Sequence, residues 1–342
     1  MTSNMTKRNN SIDIFRLICA LLVVAIHIPP FIDINRSVSY FFCEIIARVA
    51  VPYFFVVSGY FYIPKLIKGD PCFKRYVLRL LTTYLFWTTI YYLIDYFQWG
   101  YKNLKDYIVT CVLQLFTGSH YHLWFFPALI FAVCVVTFLV KLRASKILIP
   151  ISLVLYAVGC FGGPYYEIGK HIPVLSVIYG FSDYTDIRRF LFMAVPFFVG
   201  GYLLSVLKHK IVNKFSIAKL LVLFGVTVLL WGAELAIVLI FEIQREKVTT
   251  FGLYLVVIFI IAILLKIPAA NLPKLADICR ALANFTYYSH AAFILLINVV
   301  SGSILKIHLS ETVCYILTSV FCLSVGFVIY KFNNKYLCFL IN

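Results

Sequence analysis

The residues best equipped for chemistry are ionisable groups embedded in apolar sequence, beginning with Arg16 and His27. They lie eleven positions apart, so at ~100° per residue a helix puts them within about 20° of one face and roughly 16 Å apart along its axis. That face offers a cation near one end and a proton acceptor further along. A long anionic substrate can set its charged end on the first and its reactive end near the second. A plainer reading has the arginine reaching for headgroups and the histidine satisfying a buried carbonyl.

Other polar groups stand out for the same reason, because ionisable side chains at membrane depth are costly and mark function more often than elsewhere. Glu44 and Arg48 are spaced to pair at i,i+4. Pro52 removes a helix hydrogen bond, and Ser58-Gly59 is a small pair that permits close approach. Tyr60 follows directly. Lys74, Arg75 and Arg79 gather at the start of an apolar run, where guanidinium forks suit phosphate and where ordinary positive-inside bias also places charge. His122 and Trp124 form a polar–aromatic cluster suited to recognising an acceptor, at a level where aromatic belts occur anyway. Glu234 is an isolated acid that needs a partner or a watery cavity, and His290 follows Tyr287-Tyr288-Ser289.

These residues require elements that live in lipid. Of the 342 residues 63% are hydrophobic and 13% charged, with mean hydropathy +0.95. A soluble domain carries roughly 25% charged residues. Apolar runs long enough to span as helices recur at about 12–30, 40–63, 76–98, 122–141, 146–162, 189–207, 217–240, 250–267, 283–304 and 311–332. Such runs of about 20 residues satisfy their own backbone groups in hydrocarbon. The expected fold is therefore an all-α, polytopic transmembrane bundle of about ten helices. The shorter stretch 104–118 reads as an interfacial or re-entrant helix, and 163–188 as the longest loop, with local structure. The whole of 1–342 reads as one membrane domain with short tails, 1–11 and 333–342.

The net charge of +16 does not point to nucleic acid, because the basic residues sit in short loops between apolar runs. Lys7, Arg8, Lys65, Lys68, Lys74, Arg75, Lys141, Arg143, Lys146, Lys208, Lys210, Lys214, Lys274, Lys331 and Lys335 fall on one side. Arg36, Lys102, Lys105, Lys170, Lys306 and the mixed charges around Glu242–Lys247 fall on the other. The first side is expected to be cytoplasmic, with both termini there. The run after Lys7-Arg8 lacks a small-residue cleavage site and reads as a retained first helix. Ten cysteines are scattered without a CxxC pair, so neither a zinc site nor a disulfide framework is expected.

Taken together, these motifs resemble the bacterial acyltransferase type 3 family of integral membrane acyltransferases. The likeness rests on Asp13-x-x-Arg16, the Arg16-x10-His27 spacing, Val51-Pro52-Tyr53-Phe54-Phe55 leading to Ser58-Gly59-Tyr60-Phe61, His122-Leu123-Trp124-Phe125, and Tyr288-x-His290. It runs over nearly the whole chain and implies a ten-helix bundle. Arg48-Val-Ala-Val-Pro-Tyr-Phe-Phe and Tyr121-His-Leu-Trp-Phe-Phe-Pro-Ala-Leu-Ile are similar to the N-terminal membrane domain of vancomycin-resistance-type membrane-bound serine racemases. There the membrane domain precedes a pyridoxal-phosphate racemase domain and is thought to supply L-serine. Where the family often has Arg-x-x-Arg after the second helix, this chain has Arg75-x-x-x-Arg79, with Tyr76 at the first arginine's place and Lys74 or Arg75 as its substitute.

The resemblance implies transfer of an acyl group, acetyl or a relative, from cytoplasmic acyl-CoA to a hydroxyl or amine acceptor of the cell envelope. His27 would act as general base or transient acyl carrier, with Arg16 positioning the donor. Lys74, Arg75 and Arg79 would hold the CoA phosphates. Ser58 and Tyr60 would line the passage; His122, Trp124, Glu234 and His290 would meet the acceptor or line its path. No metal is expected. The competing expectation is an L-serine delivery module in the bacterial cytoplasmic membrane, working with a cytoplasmic serine racemase domain C-terminal to this region. No racemase domain lies within these residues, so racemase chemistry is not assigned.

Overall fold

The computed structural model describes residues 9–99, 104–180, 184–244, 249–267, 271–332 and 340–341. Lys7, Arg8, Lys102, Lys247 and Lys335, named above, fall outside them, as does Asp183 of the 163–188 loop. Among the described residues every regular element is a helix. In order these are α1 (Asn10–His27), α2 (Arg36–Tyr40), α3 (Ala50–Ile67), α4 (Cys72–Trp99), α5 (Leu104–Thr117), α6 (Phe125–Lys141), α7 (Leu148–Gly162), α8 (Tyr166–Gly169), α9 (Pro173–Tyr179), α10 (Tyr184–Ile187), α11 (Val195–Lys214), α12 (Ile217–Ile240), α13 (Phe251–Lys266), α14 (Pro273–Asn298) and α15 (Glu311–Phe332). Tight and wide helical turns join α2 to α3, lead into α11 and extend α14 to Leu305, giving continuous spans Arg36–Ile67, Arg188–Lys214 and Pro273–Leu305.

Among the described residues eight helical spans are long and apolar enough to cross a membrane, and the shorter apolar helices α6 and α13 occupy the remaining two expected positions. The chain is an all-α, polytopic membrane bundle. At 24 residues α12 is about 36 Å long. It turns Leu229 and Ile240, each 75% exposed, outward, a surface that only lipid covers cheaply. The stretch 104–118 forms α5, with Ile108, Val109, Val112, Leu113 and Phe116 exposed along one face. Tyr84 and Tyr92 of α4 donate to the Leu115 and Cys111 carbonyls of α5 at 2.9 and 2.5 Å. The 163–188 loop carries α8, α9 and α10.

The chain forms two compact units, one drawn from residues 1–12, 52–76 and 128–269, the other from 13–51, 77–127 and 270–342. In the first, α3 and α11 meet backbone to backbone. A Cβ at Gly59 would collide with the Phe198 carbonyl oxygen, and one at Gly201 with the Val56 oxygen and Tyr60 nitrogen. The small residue after Ser58 thus serves the close approach that the sequence suggested. Tyr60, 1% exposed, is sealed into that packing, while Ser58 is half-buried. The start of α1 is tied to the end of α13. Asn9 caps Ser11 and Ile12, and the Ser11 hydroxyl donates to the Ile267 carbonyl at 2.7 Å.

Glu234 belongs to the same unit and has the partner that an acid in a membrane helix needs. Its carboxylate accepts from the backbone N–H of Phe251 (2.7 Å) and Gly252 (2.6 Å) at the N-terminus of α13, and from the Tyr165 hydroxyl (2.6 Å). A negative group there satisfies donors that a helix start leaves open and complements its dipole. Thr250 caps the same turn through Leu253 N–H and takes a hydrogen bond from Trp231 Nε1 at 2.8 Å.

Candidate histidine site

In the second unit, three elements deliver four of the seven histidines to one place. α1 ends at His27, because Pro29 and Pro30 cannot extend a helix. His27 is therefore the terminal residue of its helix rather than a mid-helix group. His120 and His122 come from the turn between α5 and α6. His290 stands on α14, fully buried at 0% exposure.

The rings touch. His27 and His290 have centroids 5.3 Å apart with planes 22° from parallel, and His122 and His290 are 4.6 Å apart at 64°. Tyr121 lies 4.5 Å from His27, and His120 5.2 Å from His122. Among the described residues no three His, Cys, Asp or Glu side chains are placed to hold a metal ion.

Hydrogen bonds fix the protons. His290 Nδ1 faces the carbonyls of Thr286 (3.1 Å) and Tyr287 (2.9 Å), which only accept, so Nδ1 carries the hydrogen. In the neutral ring Nε2 then holds the basic lone pair, and it is buried without a hydrogen-bond partner. His122 Nε2 faces the Tyr288 carbonyl at 3.4 Å and so donates, leaving its Nδ1 to accept from His120 Nδ1 at 3.1 Å. The Tyr287 hydroxyl donates to the His122 carbonyl at 2.9 Å. Burial holds the His120 imidazole well below its ordinary range, near about 4.

The turn is held by a glycine and a tyrosine. Gly118 adopts φ +121, with Trp124 Cα only 2.6 Å from where a Cβ would stand. Trp124 itself is half-buried, two residues from His122. Tyr91 of α4 stacks on His120 at 4.6 Å. Its hydroxyl donates to the Tyr288 carbonyl at 2.7 Å and accepts from Ala292 N–H at 3.3 Å. Those two backbone groups pair with each other in a regular α-helix, so Tyr91 intervenes in the α14 ladder at the turn that contains His290.

Arg16 also lies in this unit. It forms an ion pair with Asp13 at 3.4 Å, and its Nε is buried without a hydrogen-bond partner. The i,i+4 ion pair of Arg48 with Glu44 is formed as expected. Lys74, Arg75 and Arg79 are exposed on the first two turns of α4, the two arginines four residues apart. The structure thus gathers His27, His122 and His290, with Trp124 close in sequence to His122. Glu234, Ser58 and Tyr60 belong to the other unit. His120 and Tyr91 were not singled out from sequence, although the His120-x-His122 spacing was there to be read.

A sequence family described as an acyltransferase domain matches residues 9–335. Two proteins of Enterococcus faecalis, each named amino-acid racemase, are 31% and 35% identical over 64% and 58% of this chain. A serine/alanine racemase of Enterococcus gallinarum is 29% identical over 76%. The matched regions span only 31%, 29% and 37% of those relatives, so the chain corresponds to about a third of their length. No solved structure matches.

Proposed function

Because this chain belongs to the acyltransferase type 3 family of membrane acyltransferases, we propose that it moves an acyl group from cytoplasmic acyl-CoA to a hydroxyl or amine acceptor. Acetyl is the group we assign, and the acceptor is a small molecule or envelope glycan. The observation that carries this reading is the convergence of His27 with His122 and His290. An acyl transfer needs a base with a free lone pair, and the buried imidazole cluster, with His290 Nε2 unpartnered, is suited to supply it. His27, half-buried at the end of α1, is the member we assign to the substrate. Arg16, on the same helix, is assigned to positioning the donor, and Lys74, Arg75 and Arg79 to binding its phosphates. The skewed Lys/Arg distribution supports a bacterial cytoplasmic membrane location with both termini inside.

The test is calorimetric binding of acetyl-CoA to detergent-purified protein. Micromolar binding that is lost in Arg16→Ala, but retained by a His27→Ala protein that no longer turns over, supports the reading. A folded wild-type protein that binds no acetyl-CoA overturns it.

The relatives' racemase names favour a second reading, in which this membrane region delivers L-serine to a cytoplasmic racemase domain. Uptake of labelled L-serine into proteoliposomes distinguishes the two. Uptake no greater than in empty vesicles removes the delivery reading.

A further inference from the structure

Acyl transfer to a hydroxyl releases a proton that must be held until the thiolate has left. His122 is poorly placed to hold it, since its Nε2 is directed at the Tyr288 carbonyl and its Nδ1 at His120. His290 is the opposite case. Its Nδ1–H is spent on two carbonyls of its own helix, which fixes the ring and its tautomer. Its Nε2 is buried and unpartnered, and its ring lies against His27.

We propose that His290 is the proton-holding partner of His27, acting through that ring and not by touching substrate. The proposal rests on the acyl-transfer reading. As the acceptor oxygen bonds to the thioester carbonyl carbon, its proton passes to one nitrogen of His27. The hydrogen on the other His27 nitrogen passes to His290 Nε2. When the C–S bond breaks, the thiolate takes a proton from His27, and His290 returns the one it held. Acceptor and thioester become ester and free thiol, and both imidazoles end neutral. Catalytic hydrogen bonds are often long before substrate arrives, so a 5.3 Å ring separation in the free protein accords with contact made on binding.

The test uses the full chain in liposomes, with acetyl-CoA as donor and release of CoA thiol as the signal. Glycerol serves as an acceptor that needs a base, and hydroxylamine as one that attacks without it. His290→Asn keeps an N–H that can reach the helix carbonyls and removes the basic nitrogen. The expected result is a kcat with glycerol about 10²-fold lower, KM for acetyl-CoA unchanged, and most of the rate restored with hydroxylamine. Equal losses with both acceptors, or no loss with glycerol, overturn the proposal. A measurement on the wild type stands independently of that variant's folding. Rates in mixtures of light and heavy water should fall along a curve, as two moving protons require, and a straight line overturns the assignment. All rates are taken above those of protein-free liposomes, because hydroxylamine also cleaves thioesters unaided. If the wild type releases no thiol above that level with either acceptor, the acyl-transfer reading falls and takes this proposal with it.

Discussion

His27 and His290 come from helices more than 240 residues apart in sequence, yet their rings lie nearly parallel with centroids 5.3 Å apart. One is the last residue of α1, and the other is sealed within α14 at 0% exposure. The half-buried ring can meet a substrate, and the sealed ring can act only through a neighbour.

Removing the half-buried ring should stop the chemistry. His27→Ala is expected to lower kcat by about 10²–10⁴-fold, the range that general bases contribute. Its thermal midpoint should stay close to wild type, since His27 is not in the tightly packed core. Thiol release from acetyl-CoA in liposomes checks this, and turnover at the wild-type rate would remove His27 from the mechanism.

The turn that carries His120 should be sensitive to acid. Burial lowers the His120 pKa from 6.5 to about 4, so the unfolded chain binds a proton there before the folded one does. The resulting contribution to stability is complete above about pH 6.5 and is lost as the pH falls through about 4. Melting curves between pH 7 and 4 should show a smaller acid-induced drop in His120→Gln than in wild type. Identical pH dependence would refute this.

Gly118 is expected to tolerate no side chain. Its φ of +121 and the 2.6 Å approach of Trp124 Cα mean that Gly118→Ala must move the chain that places His120 and His122. A cost of roughly 1–3 kcal/mol is expected, read as a lower melting midpoint together with reduced turnover. A variant equal to wild type in both would show that the turn adjusts freely.

Glu234 should matter to stability, because two backbone donors of α13 depend on it. Glu234→Ala leaves them without this acceptor, at a cost of roughly 1–3 kcal/mol. Glu234→Gln keeps one of the two acceptor oxygens, so it loses one backbone partner and the charge at the helix start, and its midpoint should fall less than that of Glu234→Ala. Equal midpoints for the two variants would argue against the capping role.

The membrane fold was legible because lipid imposes a single rule, about 20 apolar residues per helix. Its ends were less so. Residues 273–282 belong to α14 although Lys274, Asp277 and Arg280 make them polar; once begun, a helix extends without apolar residues. The run expected from residue 122 becomes helix only at Phe125, because the preceding residues form the turn that displays His120 and His122. Arg16, His27, His122 and His290 could each be picked out as costly in lipid. That three of them meet could not, since it depends on how α1, the α5–α6 turn and α14 pack. Tyr91 left no local signal, being one tyrosine among 24. Its role at Tyr288 and Ala292 exists only in the folded chain.

Arg16 and His27 share one uninterrupted helix, and their separation is therefore a gauge cut into a single rod. Motions elsewhere in the protein can tilt or slide α1 without changing the distance between guanidinium and imidazole. Register is the vulnerable quantity: one residue inserted between them would turn His27 about 100° away from the Arg16 face and lengthen the gauge by about 1.5 Å. Cys19, Ala20, Val24 and Ala25 are sealed in the core along this stretch, so it is constrained twice: in number by the gauge and in size by packing.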